Sequence, residues 1–237
     1  AVQQAAYTIK ASLDIMKEEK MKPKYLEAKF GENMDLRPII FDINGINVKV
    51  TGKIDRIDSA EINNDEYFRV LDYKTSAKDI SLYRIKEGHD IQLALYAYAY
   101  FKSSNAKLAG MFYMTIDNEY SEVANSEDKS YENKKMVLPG YSFIDESLEL
   151  FDIINNKTIQ KNKMISRDVE NKIYESVEKT ILNTAREISE GNFNVYPLKD
   201  KEITACQYCP YITLCGFDNS KDDYRIVKPE KDDDLQW

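Results

Sequence analysis

Apolar residues along the chain change period several times, and each change predicts an element. Over 1–20, Ala5, Ile9, Leu13 and Met16 recur at three- and four-residue steps with Lys and Glu between them, which predicts an amphipathic helix. Met21-Lys22-Pro23 ends it. Residues 25–30 alternate as a strand, with Leu26, Ala28 and Phe30 on one face and Glu27 and Lys29 on the other. Residues 31–37 read as a loop, and Pro38 opens an extended stretch to Ile43. Asn44-Gly45 tolerates positive φ at both positions and predicts a hairpin turn. Residues 46–60 then read as one long strand marked by Val48, Val50, Ile54 and Ile57. Asn63-Asn64-Asp65 is a second turn, after which 67–74 return antiparallel.

Beyond a loop at 75–79, the Ala, Leu and Tyr density of 89–101 predicts a helix, and 109–116 an apolar strand. Residues 117–140 read as a polar excursion and 144–154 as a short helix. The clearest helix is 166–191: Ser166 is placed to cap it, Val169, Ile173, Val177, Ile181, Ala185 and Ile188 form its stripe, and Gly191 ends it. The chain from Lys221 reads as a charged, extended tail, so 1–220 are taken as the folded domain and 221–237 as the tail. The order helix, antiparallel strands, helix, strand predicts an α/β (α+β) core with a mixed central sheet flanked by helices.

The 237 residues are 43% hydrophobic, enough for a substantial core. Seventeen tyrosines suit strand faces and half-wet surfaces. No run of 18 apolar residues occurs, which argues against a membrane-spanning helix. The start, Ala1-Val2-Gln3-Gln4, has neither the charged and apolar regions of a signal peptide nor an initiator Met, so an excised fragment is expected. A net charge of −8 argues against a broad basic face for DNA but leaves room for a local basic groove. No G-x-x-x-x-G-K-[ST] loop occurs, so any ATP dependence has to come from elsewhere.

Three groups of residues carry chemistry. In the strand Val70-Leu71-Asp72-Tyr73-Lys74, Asp72 and Lys74 lie two apart and share a face. Asp55, in Gly52-Lys53-Ile54-Asp55-Arg56-Ile57-Asp58, sits on the predicted neighbouring strand. Two carboxylates suit Mg²⁺ or Mn²⁺, with the Tyr73 backbone carbonyl as a further oxygen and Lys74 beside an attacking water. An ordinary surface ion pair is the competing reading, because Asp-x-Lys is a common tripeptide. Gln92 and Tyr96 are one turn apart on the predicted helix; they either orient the water and touch the DNA backbone or simply pack on the sheet. Cys206, Cys209 and Cys215 are all the cysteines in the chain. Their clustering and odd number disfavour a disulfide framework and favour zinc or iron–sulfur ligation, with a fourth ligand missing and His89, the single histidine, far away in sequence.

In this order the groups resemble the PD-(D/E)xK nucleases of the RecB/AddB type. The resemblance spans roughly 25–218. It is carried by Gly52 to Asp58, by Leu71-Asp72-Tyr73-Lys74-Thr75, by the run from Gly88 to Tyr96, and by Cys206-Gln207-Tyr208-Cys209-Pro210 on to Cys215 and Asp218, with Ala185 to Gly191 and Pro197 alongside. It implies a restriction-endonuclease-like fold and a Mg-dependent exodeoxyribonuclease working in DNA repair and recombination. Asp55 and Asp72 would hold the divalent metal, Lys74 would be the catalytic lysine, and Gln92 and Tyr96 the accessory motif. The cysteines would be three ligands of a [4Fe–4S] cluster whose fourth ligand lies outside this chain. The substrate would be single-stranded DNA, the partner an AddA-like helicase–nuclease subunit, and the location the bacterial cytoplasm. No upstream histidine of the family is identifiable, and Glu27 is either an acid approaching the metal or an outward strand residue. The alternatives are a non-catalytic DNA-binding scaffold clipped by its cysteines and a CRISPR-associated iron–sulfur exonuclease.

Overall fold

The computed structural model describes residues 9–10, 12–13, 16–17, 19–76, 78–115, 138–151, 163–201 and 203–227. Of the expected first helix, the described residues 9–10, 12–13 and 16–17 are helical. The chain then builds β1 (Lys22–Phe30), β2 (Ile39–Ile43), β3 (Ile46–Val50), β4 (Gly52–Ile62) and β5 (Asp65–Lys74). Two helices follow, α1 (Leu82–Lys86) and α2 (Gln92–Ser104), then β6 (Lys107–Thr115) and β7 (Gly140–Phe143). A 3₁₀ turn (Glu146–Leu150), β8 (Met164–Ile165), α3 (Val169–Ser189), β9 (Leu198–Asp200), β10 (Ile203–Thr204) and β11 (Arg225–Ile226) complete the order.

The main sheet has the order β1-β4-β5-β6-β7-β8. β1, β4 and β5 are antiparallel neighbours, whereas β5 and β6 are parallel, so the sheet is mixed as expected. A parallel pair needs a crossover, and α1 and α2 provide it. β5 is buried on both faces, which is why residues 67–72 form a nearly continuous buried run. Phe68 and Val70 pack with Ile57, with Leu93, Ala94 and Ala97 of α2, and with Ile173 and Val177 of α3. Tyr67 and Leu71 pack on the opposite face with Phe112, Met114 and Leu150. Each large apolar side chain buried this way stabilises the fold by about 1.5–3 kcal/mol. Gly140 is required where β7 meets β6: a Cβ there would stand 2.2 Å from the Met111 carbonyl oxygen.

Several expectations change in detail. The long strand expected over 46–60 is two strands, because β3 closes a separate hairpin with β2 through Asn44-Gly45 while β4 joins the main sheet. Apolar alternation is the same on both sides of Thr51 and carries no sign of the change of partner. In β1, Ala28 and Phe30 are buried but Leu26 is 67% exposed, since Glu27 between them has φ 57° and rotates the preceding segment. The helix expected over 89–101 starts at Gln92, and the one expected over 166–191 starts at Val169. Asp168, rather than Ser166, is the N-cap of α3, and no side chain caps that end; Ile188 at the far end of the stripe is 59% exposed. The short helix expected over 144–154 is the 3₁₀ turn at Glu146–Leu150, and 152–154 lie outside the described residues, as does most of the excursion at 117–140. Within the expected tail, β11 pairs with β9 and Val227 packs against Tyr83 and Leu198. No helix among the described residues is long and apolar enough to cross a membrane.

The tyrosines are more deeply placed than their polar tips suggest. Among the described residues seven are buried: Tyr67, Tyr83, Tyr98, Tyr100, Tyr113, Tyr141 and Tyr174. Five of these hydroxyls meet a carboxylate, as in Tyr67–Glu146, Tyr98–Glu178, Tyr100–Glu66 (2.8 Å), Tyr174–Glu170 (2.9 Å) and Tyr83–Asp200 (3.0 Å). Tyr141 accepts from the Leu82 amide at 3.2 Å. The Tyr113 hydroxyl has no partner among the described residues.

Candidate active site

The β4–β5 register pairs Arg56 with Leu71 and Ile57 with Val70. Continued by one residue, it sets Asp55 across from Asp72. Residues directly opposite share a face, and here that face is covered by α2. Asp72 and Lys74 therefore point toward the start of α2, where Gln92 and Tyr96 stand one turn apart. The turn into α2 uses Gly88 (φ 73°) and Asp90 (φ 57°), both left-handed. The Asp90 carboxylate anchors that turn to Lys78 (2.9 Å) and Arg84 (3.3 Å).

The side chains interlock. Lys74 Nζ lies 2.5 Å from Asp72 Oδ2 and donates to Gln92 Oε1 at 2.9 Å. The Gln92 amide nitrogen donates to Asp72 Oδ1 (3.0 Å) and to the Tyr96 hydroxyl (2.9 Å). Asp55 Oδ2 accepts from the backbone amide of Tyr73 at 2.9 Å. Burial raises the Asp72 carboxyl pKa above its ordinary value, with the charge of Asp55 adding to it and Lys74 opposing it. Asp72 Oδ2 is buried and takes part in no aligned hydrogen bond, so its contact with Lys74 is an ion pair.

The structure thus brings together Asp55, Asp72, Lys74, Gln92 and Tyr96 from two strands and one helix. Glu27 lies beside this group but is exposed and pairs with Lys53. His89 is half-buried in the turn before α2, its backbone amide bonded to the Arg84 carbonyl at 2.7 Å. Cys206, Cys209 and Cys215 are free and half-buried in the turns after β10. Their thiols are not gathered into a ligand group: among the described residues, no three His, Cys, Asp or Glu side chains are arranged to hold one metal ion.

Sequence reasoning assigned no role to the charges beneath the site. Arg56 and Asp58 of β4 point away from α2 and meet Arg69 of β5 and Glu19. Asp58 is bound by Arg56 at 2.6 and 2.8 Å and by Arg69 at 2.8 and 2.9 Å; Arg69 also reaches Glu19 at 2.5 Å, and Arg56 donates to Ser12 at 2.8 Å. All four charged side chains are at most 3% exposed, and two cations balance two anions. The signal was present as Arg56 and Asp58, two charges two residues apart on one strand, which must be paired if that face is covered.

A family model described as the PD-(D/E)XK nuclease superfamily matches residues 2–216. The B subunit of the ATP-dependent helicase/deoxyribonuclease of Carboxydothermus hydrogenoformans is 32% identical over 88% of this chain and 21% of its own length. The proteins of the same name from Alkaliphilus metalliredigens and Caldanaerobacter subterraneus subsp. tengcongensis are 31% and 29% identical, over 94% and 92% of this chain. The chain spans about a fifth of the length of these relatives. The family model covers β4, β5 and α2, and on that match the chain belongs to the PD-(D/E)XK nuclease superfamily.

Proposed function

We propose that this chain is a divalent-metal-dependent deoxyribonuclease domain that hydrolyses single-stranded DNA from an end, within a helicase–nuclease that processes broken DNA in the bacterial cytoplasm. The observation that carries the reading is the convergence of Asp72, Lys74 and Gln92, locked to one another at 2.5–3.0 Å, beside Asp55. Asp55, Asp72 and the Tyr73 carbonyl would hold Mg²⁺ or Mn²⁺. The donors fit: they are all oxygen, hard cations of this kind use one or two carboxylates and keep several waters, and Asp72 Oδ2 has no aligned hydrogen bond to give up. Bound there, the ion supplies charge stabilisation at the phosphate and a more acidic water.

The protein groups do the rest. Lys74 carries a positive charge beside the carboxylates and is aimed by Gln92, so it can orient the attacking water or offset charge that builds on the phosphate oxygens. Gln92 links Asp72 to Lys74 through its amide, and Tyr96 fixes the Gln92 amide nitrogen. For the cysteines, the C-x2-C-x5-C spacing supports a structural iron–sulfur site completed by a ligand from outside this set; as they stand the thiols do not form it, and no catalytic step uses them. Iron and acid-labile sulfide assays on anaerobically purified protein test that part. The names of the relatives support an AddA-like helicase–nuclease subunit as the partner.

The deciding experiment is cleavage of labelled single- and double-stranded DNA with Mg²⁺, Mn²⁺ or EDTA. Asp72→Ala and Lys74→Ala should each reduce the rate roughly 100-fold or more. Full activity in Asp72→Ala, or activity that survives EDTA, would refute the reading.

A further inference from the structure

Tyr113 is the one buried tyrosine whose hydroxyl is unpartnered among the described residues. It stands on β6 as the register partner of Asp72, in the strand pairing that flanks the site. Its side chain belongs to the cluster on the α2 face of the sheet. The Lys74 ammonium lies over its ring, 5.6 Å from the centroid, and the Lys78 ammonium 5.2 Å from it. Lys78 is held by Asp90. Lys74 has three N–H donors; one goes to Gln92, and its contact with Asp72 is an ion pair without an aligned hydrogen bond. A buried hydroxyl without a partner is costly, and in a site of this kind it calls for an explanation.

We propose that Tyr113 is a positioning residue that receives the Lys74 ammonium when a divalent cation takes Asp72. The inference rests on the metal-site reading above. With the site as it stands, Lys74 neutralises Asp72 and so competes with a cation for the same carboxylate oxygen. Entry of the cation removes that attraction and replaces it with repulsion, so the ammonium has to move. Gln92 keeps one of its N–H groups. The Tyr113 ring keeps it over an aromatic face, and the free hydroxyl offers the acceptor it gains on leaving Asp72. Lys74 then stays at the reaction centre instead of swinging into solvent. Tyr113 touches neither DNA nor cation in this scheme; it acts through Lys74.

The test is Mn²⁺ binding to the purified protein, followed by electron paramagnetic resonance and calorimetry, in a cycle of Tyr113→Phe, Lys74→Met and the double variant. Tyr113→Phe removes only the unpartnered oxygen, so its melting temperature should equal or exceed that of the wild type. It should weaken Mn²⁺ binding roughly tenfold, because Lys74 then has no second acceptor and stays on Asp72. Lys74→Met should tighten binding, and adding Tyr113→Phe to it should change nothing further. An equal Tyr113→Phe effect in both backgrounds, or none in the wild-type background, overturns the proposal while leaving the metal site intact. Failure of the wild type to bind Mn²⁺ overturns the metal-site reading and this inference with it.

Discussion

The Asp55 carboxylate accepts a hydrogen bond from the backbone amide of Tyr73, the residue between Asp72 and Lys74. The acid on β4 therefore holds the end of β5 in place as well as bringing charge to the site. The two roles separate in Asp55→Asn, whose side-chain oxygen still accepts from the amide while one negative charge is lost. We expect unchanged thermal stability within about 0.5 kcal/mol and a drop in Mg²⁺-dependent cleavage of roughly 100-fold. Comparable loss of stability in Asp55→Asn and Asp55→Ala would show that the amide contact does not work as described.

Gln92 both donates to and accepts from its neighbours, and Glu in its place can only accept. Gln92→Glu retains an acceptor for Lys74 but sets a carboxylate against Asp72, where the amide donated at 3.0 Å. Turnover should fall roughly tenfold or more, with DNA affinity changed far less. Separate measurements of kcat and KM decide this; an effect confined to KM would place Gln92 in DNA binding instead.

Beneath the site, Asp58 is the shared acceptor of two buried arginines. Asp58→Ala leaves both guanidinium groups without that anion, and breaking a buried pair of this type costs about 3–5 kcal/mol. Chemical denaturation should show the loss directly. A variant within about 1 kcal/mol of wild type would mean that water reaches the arginines.

Asp90 gives a pH-dependent prediction. Burial alone would raise its pKa, but Lys78, with His89 and Arg84 nearby, outweighs burial and holds the carboxyl below its ordinary value. A lowered folded-state pKa means that the unfolded chain binds the proton first as pH falls. The stabilisation is thus complete above the ordinary aspartate pKa and is lost as pH falls through the folded-state value. Asp90→Asn keeps a residue that tolerates the left-handed φ of 57° and removes the charge together with one of the two acceptor oxygens that meet Lys78 and Arg84. At pH 7 it should cost roughly 1 kcal/mol, and the gap from wild type should close in acid. A gap that persists at pH 2 would assign the effect to packing.

Much of the site was legible because its parts are local. Asp72 and Lys74 are two residues apart on one strand, and Gln92 and Tyr96 one turn apart on one helix, so periodicity alone sets each pair on one face. The Asn63-Asn64-Asp65 turn brought Asp55 next to Asp72. What could not be read depended on contacts distant in sequence. Nothing around Thr51 shows that β3 and β4 join different sheets. Strict alternation sets Leu26 on the face of Ala28 and Phe30, and the left-handed Glu27 interrupts that alternation. Tyr113 looked like any aromatic residue in an apolar strand; only its register with Asp72 and the lack of a partner for its hydroxyl set it apart.

The contacts of Ser12 and Glu19 with the two arginines bear on where this domain can be cut. Strand alternation begins only at β1, and a boundary chosen from that pattern would start the polypeptide near residue 21. Such a trim would discard the carboxylate that meets Arg69 and the hydroxyl that meets Arg56. Two cations would then face one anion under the very strands that carry Asp55 and Asp72. Ser12 and Glu19, ahead of the first strand, therefore belong with the sheet, because they complete the partners of the charges on its lower face.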